Sequence, residues 1–125
     1  VLAADTIVAI DDRILGKPET PEDAAKMLGD LSGKRHEVIT GVALVEAKTG
    51  KVHTFAETTE VKFCTLSDIE ISEYLKTGEP MDKAGAYGIQ GDGGKFIERI
   101  DGCFYNVMGF PLNSIYSLLK KTGII

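Results

Sequence analysis

A chain of 125 residues with a net charge of −5 is long enough to bury a real core and reads as one domain, residues 1–125. Its composition excludes a fibrous or disordered protein. No apolar run approaches a membrane span, and the scattered lysines form no basic face for a nucleic-acid polymer. An anionic ligand would therefore be held locally, by a few placed cations and backbone N–H groups, with help from a divalent metal.

Residues 1–10, VLAADTIVAI, are almost continuously apolar and read as a buried strand interrupted by Asp5. The start shows no basic leader and no cleavage-like site, which reads as the absence of a signal peptide. DDRILGKPET then turns into a helix. Thr20 suits the N-cap, Pro21 the first helical position, and Glu22 and Asp23 the positive helix start. Ala24, Met27, Leu28 and Leu31 follow at helical spacing, and Gly33 ends the run.

HEVITGVALVEA and KVHTFAETTEVKFC read as strands joined by a hairpin at KTGK. In the next helix Ser67 and Glu70 form a capping-box pattern, Ile71, Tyr74 and Leu75 make the buried face, and Gly78 is the stop. GKFIERIDGCFYNVMG reads as two short strands turning at Asp101-Gly102. The last helix starts at Pro111 and buries Leu112, Ile115, Tyr116 and Leu119. The order predicts an α/β fold, a mixed twisted sheet flanked by helices. Cys64 and Cys103 have no metal-type spacing and read as free buried thiols in a reducing compartment, with one disulfide the other reading.

Four stretches could carry chemistry. Asp5-Thr6 is a polar pair in an apolar strand, and a carboxylate is almost never buried unpaired. Asp5 is either a turn cap or lysine partner, or a metal ligand or general base at a strand end. Lys17 lies between Gly16 and Pro18, as a solvated turn residue or an anion contact. GEPMDKAGAYGIQG, residues 78–91, sets Lys83 and Gln90 among four glycines. Lysine is a compact charge suited to phosphate, and glutamine offers a donor and an acceptor to a base edge. The plainer alternative pairs Lys83 with Asp82 or Glu79. His36 is either an acid or base at neutral pH or, the plainer reading, structural packing at a strand entrance, and His53 reads as solvent-facing. Neither has a triad or metal partner, and the acids at 11–12 and 57–60 read as solvated faces.

In order and spacing these stretches resemble the Maf family of nucleotide pyrophosphatases. AADTIV is similar to the family's strand with its catalytic aspartate. GKPETPEDAAKMLGDLSGKRHEVITGV resembles its longest signature, GEPMDKAGAYGIQG its third block, and NVMGFPL its closing block. The resemblance implies a Maf/ITPase-like fold and hydrolysis of dTTP, UTP and modified pyrimidine nucleotides to the monophosphate and pyrophosphate. It implies Asp5 as proton acceptor and metal ligand, Thr6 in the base pocket, Lys17 and Lys83 on the triphosphate, and Gln90 on the base. Mg²⁺ or Mn²⁺ would be the cofactor, the setting cytoplasmic, and the assembly a homodimer. Threonine after the aspartate, together with the IQ glutamine, resembles the dTTP/UTP subgroup rather than the one that takes 7-methyl-GTP. The family's Ser-x-Ser-Pro-Arg-Arg loop and Glu-x-Glu segment have no counterpart here, so the chain reads as the C-terminal two-thirds of the family domain. A Maf-like module that binds nucleotide without hydrolysing it is the second reading.

Overall fold

The alternating residues from 36 to 63 build the longest ladder of the computed structural model, which describes Val1 through Ile125. Strand β3 (Arg35–Val45) pairs antiparallel with β4 (Val52–Phe63), from Arg35 opposite Lys62 to Val45 opposite Val52. His36, Val38, Thr40, Val42 and Leu44 all point inward from β3, as a period of two requires. Outside them lie β1 (Leu2–Ile10), β2 (Arg13–Leu15) and β5 (Ile97–Asp101), in the sheet order β2-β1-β3-β4-β5.

The expected α/β arrangement of a sheet with helices is the one formed, but all four strand pairings are antiparallel. The strand β2 was not legible. Asp11 and Asp12 both take left-handed conformations, φ 49° and 63°, which closes a two-residue hairpin and returns the chain onto β1. Aspartate tolerates that region better than most residues.

Helices α1 (Pro21–Leu31) and α2 (Asp68–Lys76) begin where expected. Thr20 Oγ1 accepts the Asp23 N–H at 3.1 Å. Ser67 and Glu70 bond reciprocally at 3.1 and 3.0 Å. Leu28 and Leu31 are fully buried against Val8, Val38, Val61 and Phe63 in one apolar cluster, each such leucine contributing about 1.5–3 kcal/mol.

Several expectations about burial are corrected. In β1 only Val8 and Ile10 are buried. The strand β2 reaches no further than Val8, so Leu2 to Ile7 have β3 on one side and no strand on the other. An apolar run shows which residues can be buried, whereas the covering elements decide which are. The segment after Asp101 is not a strand but a short helix, α3 (Phe104–Val107). Asn106, wholly buried, donates through Nδ2 to the carbonyls of Val38 at 3.1 Å and Glu57 at 3.0 Å, which pins the segment across the sheet. In α4 (Leu112–Lys121) only Ile115 is buried, and Leu112 and Tyr116 are exposed. Cys64 and Cys103 are free but half-buried. His53 is half-buried and bonds Glu46 Oε2 at 2.7 Å, and Glu57 accepts from Ser114 Oγ at 2.7 Å, so neither is simply solvated.

Candidate active site

The end of the sheet that carries β1 faces the long connection between α2 and β5. Between them lies a cleft of about 510 Å³, bordered by Asp5, Thr6, Lys17, Lys83 and Gln90 together. That size is within the range of about 300–1,000 Å³ usual for small-ligand sites. All five site residues expected from the sequence are thus brought to one cavity.

Asp5 and Thr6 come from the half of β1 that lacks an outer neighbour. The Thr6 N–H donates to Asp5 Oδ1 at 3.1 Å, which folds the carboxylate to the open edge of the strand. Asp5 is exposed and takes part in none of the protein's ion pairs. Thr6 is half-buried, its hydroxyl 2.9 Å from that of Thr40 on β3.

Lys17 and Lys83 reach the cleft from separate segments that one backbone bond ties together, Gly85 N–H to Gly16 C=O at 3.1 Å. Gly85 has φ 74°, and a β-carbon there would lie 3.1 Å from the side-chain carbons of Val8. Only glycine allows the loop to press so closely on β1 in that conformation. Both lysines are exposed, and neither makes an ion pair. The alternative pairing of Lys83 with Asp82 or Glu79 is therefore not the one formed.

Glu79 is occupied elsewhere, in a role the sequence did not disclose. It accepts the Tyr74 hydroxyl, the Asp92 N–H at 3.2 Å and the Gly93 N–H at 3.0 Å. The Tyr74 hydroxyl in turn accepts the Gly88 N–H at 3.1 Å. A β-carbon on residue 91 would overlap Glu79 Oε1. One carboxylate thus organises the turn that presents Gln90. The signal available beforehand was the recurrence of glycines at 88, 91, 93 and 94, which marks backbone packed around a side chain.

The other anchor is Tyr87, whose hydroxyl lies 2.6 Å from His36 Nε2. His36, expected to be structural, is 2% exposed and stacks edge-on against Phe63 and Tyr87. Burial lowers its pKa to about 4, so it is neutral at pH 7. Burial pushes the Tyr87 hydroxyl up, and burial followed by the bond to Glu79 does the same to Tyr74. Both tyrosines remain un-ionised props of the loop.

The cleft sets two lysines (Lys17, Lys83) against three acids (Asp5, Glu79, Asp82). No group of three or more His, Cys, Asp or Glu side chains is placed to cage a metal ion. Mg²⁺ is commonly held by one or two carboxylates with the remaining positions filled by phosphate and water. Asp5, with no cation partner and one oxygen free of hydrogen bonds, fits that mode.

Unpaired cations, an open carboxylate and a glycine-built loop border one cleft of an α/β protein, a candidate site for a small anionic ligand. The family model described as Maf-like protein matches residues 1–122, and the chain belongs to the Maf family. It is 59% identical over 121 residues to a dTTP/UTP pyrophosphatase of Bdellovibrio bacteriovorus, covering 97% of this chain and 63% of that protein. It is 49% identical over 124 residues to a dTTP/UTP pyrophosphatase of Clostridium botulinum (strain Loch Maree / Type A3), covering 99% and 64%. A third protein of that name, from Clostridium tetani, is also 49% identical over 124 residues, covering 99% and 65%. The chain thus spans slightly less than two thirds of the length of these relatives.

Proposed function

We propose that this chain carries the nucleotide cleft of a pyrophosphatase that hydrolyses dTTP, UTP and modified pyrimidine nucleotides of the same kind to monophosphate and pyrophosphate. The observation that carries the reading is the convergence of Asp5, Lys17, Lys83 and Gln90 on one cleft with both lysines free of ion pairs. The names of the relatives point the same way.

The chemistry follows from charge. A triphosphate repels an incoming nucleophile, so the site must neutralise it before water can attack. Lys17 and Lys83 bind the phosphate oxygens. The cleft's own acids outnumber its lysines, and Asp5 would be the residue that holds a divalent ion, Mg²⁺ or Mn²⁺, accompanying the nucleotide. When bound, that ion supplies charge neutralisation and polarises phosphoryl oxygen. Asp5 also accepts the proton of the attacking water. The bond formed is from water oxygen to the α-phosphorus, the bond broken is the α–β bridging P–O bond, and pyrophosphate leaves with the electron pair. An aspartate is a weak base at neutral pH, so its contribution lies in aim and proximity. Thr6 and Gln90 meet the base, and Glu79 holds the turn that carries Gln90.

The setting we infer is cytoplasmic, which suits two free thiols, and the assembly a homodimer. No helix is long and apolar enough to cross a membrane. The test is pyrophosphate release from dTTP and UTP by the purified chain with Mg²⁺ or Mn²⁺. Release supports the enzyme. Nucleotide-induced stabilisation without release supports a binding module, and neither effect removes the assignment.

A further inference from the structure

Behind Thr6 runs a short chain of hydroxyls that ends on a group able only to accept. Thr6 Oγ1 lies 2.9 Å from Thr40 Oγ1, and Thr40 Oγ1 lies 3.4 Å from the backbone carbonyl oxygen of Asn106. Thr40 and Asn106 are fully buried. Asn106 is fixed in turn by its side-chain bonds to Val38, Glu57 and Thr59.

A hydroxyl has one hydrogen to give. A carbonyl oxygen cannot donate, so the contact with Asn106 is a hydrogen bond only if Thr40 donates there. The Thr40 hydrogen is then spent, and the Thr6–Thr40 contact requires Thr6 to donate. The Asn106 carbonyl also accepts the Gly109 N–H at 2.9 Å; the opposite polarity would turn a Thr40 lone pair toward that carbonyl at 3.4 Å and forfeit the second hydrogen bond. In the favoured direction Thr6 has no hydrogen left for the cleft. Its oxygen remains as an acceptor beside Gly109, where a β-carbon would stand 3.5 Å away. Both Thr6 and Gly109 border the cavity.

We propose that Thr40 is a specificity-determining residue: the buried relay from Thr6 through Thr40 to the Asn106 carbonyl makes Thr6 a pure acceptor, which selects bases carrying a ring N–H. Uracil and thymine present such a donor at N3, between two carbonyls. Cytosine presents a lone pair there, which would face the Thr6 lone pair. A site built to receive a hydrogen bond rejects the analogue that lacks the donor more strongly than a shape-based pocket does. This inference rests on the nucleotide reading of the cleft and adds the means by which one base is refused.

The experiment is calorimetric titration of the 125-residue chain with UTP and with CTP, each as its non-hydrolysable α,β-imido analogue, under the same Mg²⁺ concentration. Wild type should prefer UTP. Thr40→Val keeps the shape but frees the Thr6 hydrogen to turn toward the cleft, so the UTP/CTP affinity ratio should fall about tenfold. Thr40→Ser restores the relay and should keep the wild-type ratio. A folded Thr40→Val with an unchanged ratio overturns the proposal. Should that variant fail to fold, the half-exposed Thr6→Val decides. Under the relay it weakens UTP and strengthens CTP, because a repulsion is removed along with an attraction. Both affinities falling together means Thr6 was free to donate, and the proposal fails. Wild type that binds both nucleotides equally also overturns the relay while leaving the phosphate site intact, whereas wild type that binds neither overturns the nucleotide reading itself.

Discussion

Acidification should unfasten the loop that carries Lys83 and Gln90, because its prop His36 is neutral in the folded protein. Its pKa falls from 6.5 to about 4 through burial. Protonation would place a charge between Phe63 and Tyr87, and Nδ1 has no hydrogen-bond partner to share it. Between the two pKa values the unfolded chain holds a proton on this residue that the native chain lacks. Unfolding is therefore favoured as pH falls. The stabilisation is fully present above pH 6.5 and is lost as pH drops through about 4. At about 1.36 kcal/mol for each unit of pKa, the loss comes to about 3 kcal/mol, a large fraction of a typical stability of about 5–15 kcal/mol. Urea unfolding across this pH range, on wild type and on His36→Gln, isolates the effect. Glutamine keeps a polar partner for the Tyr87 hydroxyl and does not titrate. The wild-type curve should fall by about 3 kcal/mol more than the variant's. Parallel curves would refute the argument, since carboxylates elsewhere titrate equally in both.

Three further outcomes follow from the cleft. Asp5→Asn and Lys83→Ala should each lower pyrophosphate release by about two or more orders of magnitude while the thermal unfolding transition persists; wild-type turnover in both would remove the assignment. Gln90→Glu exchanges a donor for a second acceptor and should change the order of preference among dTTP, UTP and CTP, as measured by kcat/KM for each. Gly91→Ala would drive a β-carbon into Glu79 Oε1, so the carboxylate must leave the Tyr74 hydroxyl and the Asp92 and Gly93 N–H groups that it holds. Nucleotide affinity should fall about tenfold or more, with about 1–3 kcal/mol lost in chemical unfolding, and unchanged affinity would show that the turn does not position Gln90.

Local signals of the fold were legible where the physics is local. Thr20 and Ser67 cap their helices through bonds to residues three positions on. The alternation from His36 to Phe63 fixed the β3–β4 ladder in the same way, because a two-residue period leaves only one face to bury. The misreadings were of another kind. The strand β2 is three residues long and exists because β1 is beside it. The residues after Asp101 have strand-like character, yet Asn106 finds its partners on β3 and β4 and draws the segment into a helix. Tyr116 has helical spacing but stays exposed, with the Lys120 ammonium 5.1 Å over its ring and no apolar element against it.

The same division holds at the site. Residue type along the chain made Asp5, Thr6, Lys17, Lys83 and Gln90 candidates with plainer alternatives beside them, and the ordered resemblance to the Maf family's blocks is what gave the five a common role. Their meeting in one cleft depends on contacts between distant segments, such as Gly85 with Gly16 and Tyr87 with His36. The place of Glu79 as an organiser, the exposure of half of β1 and the contact of the Thr6 hydroxyl with Thr40 were likewise decided only in three dimensions. Each depends on which donors, acceptors or apolar surfaces arrive from elsewhere in the chain, and a side chain's own composition carries no record of them.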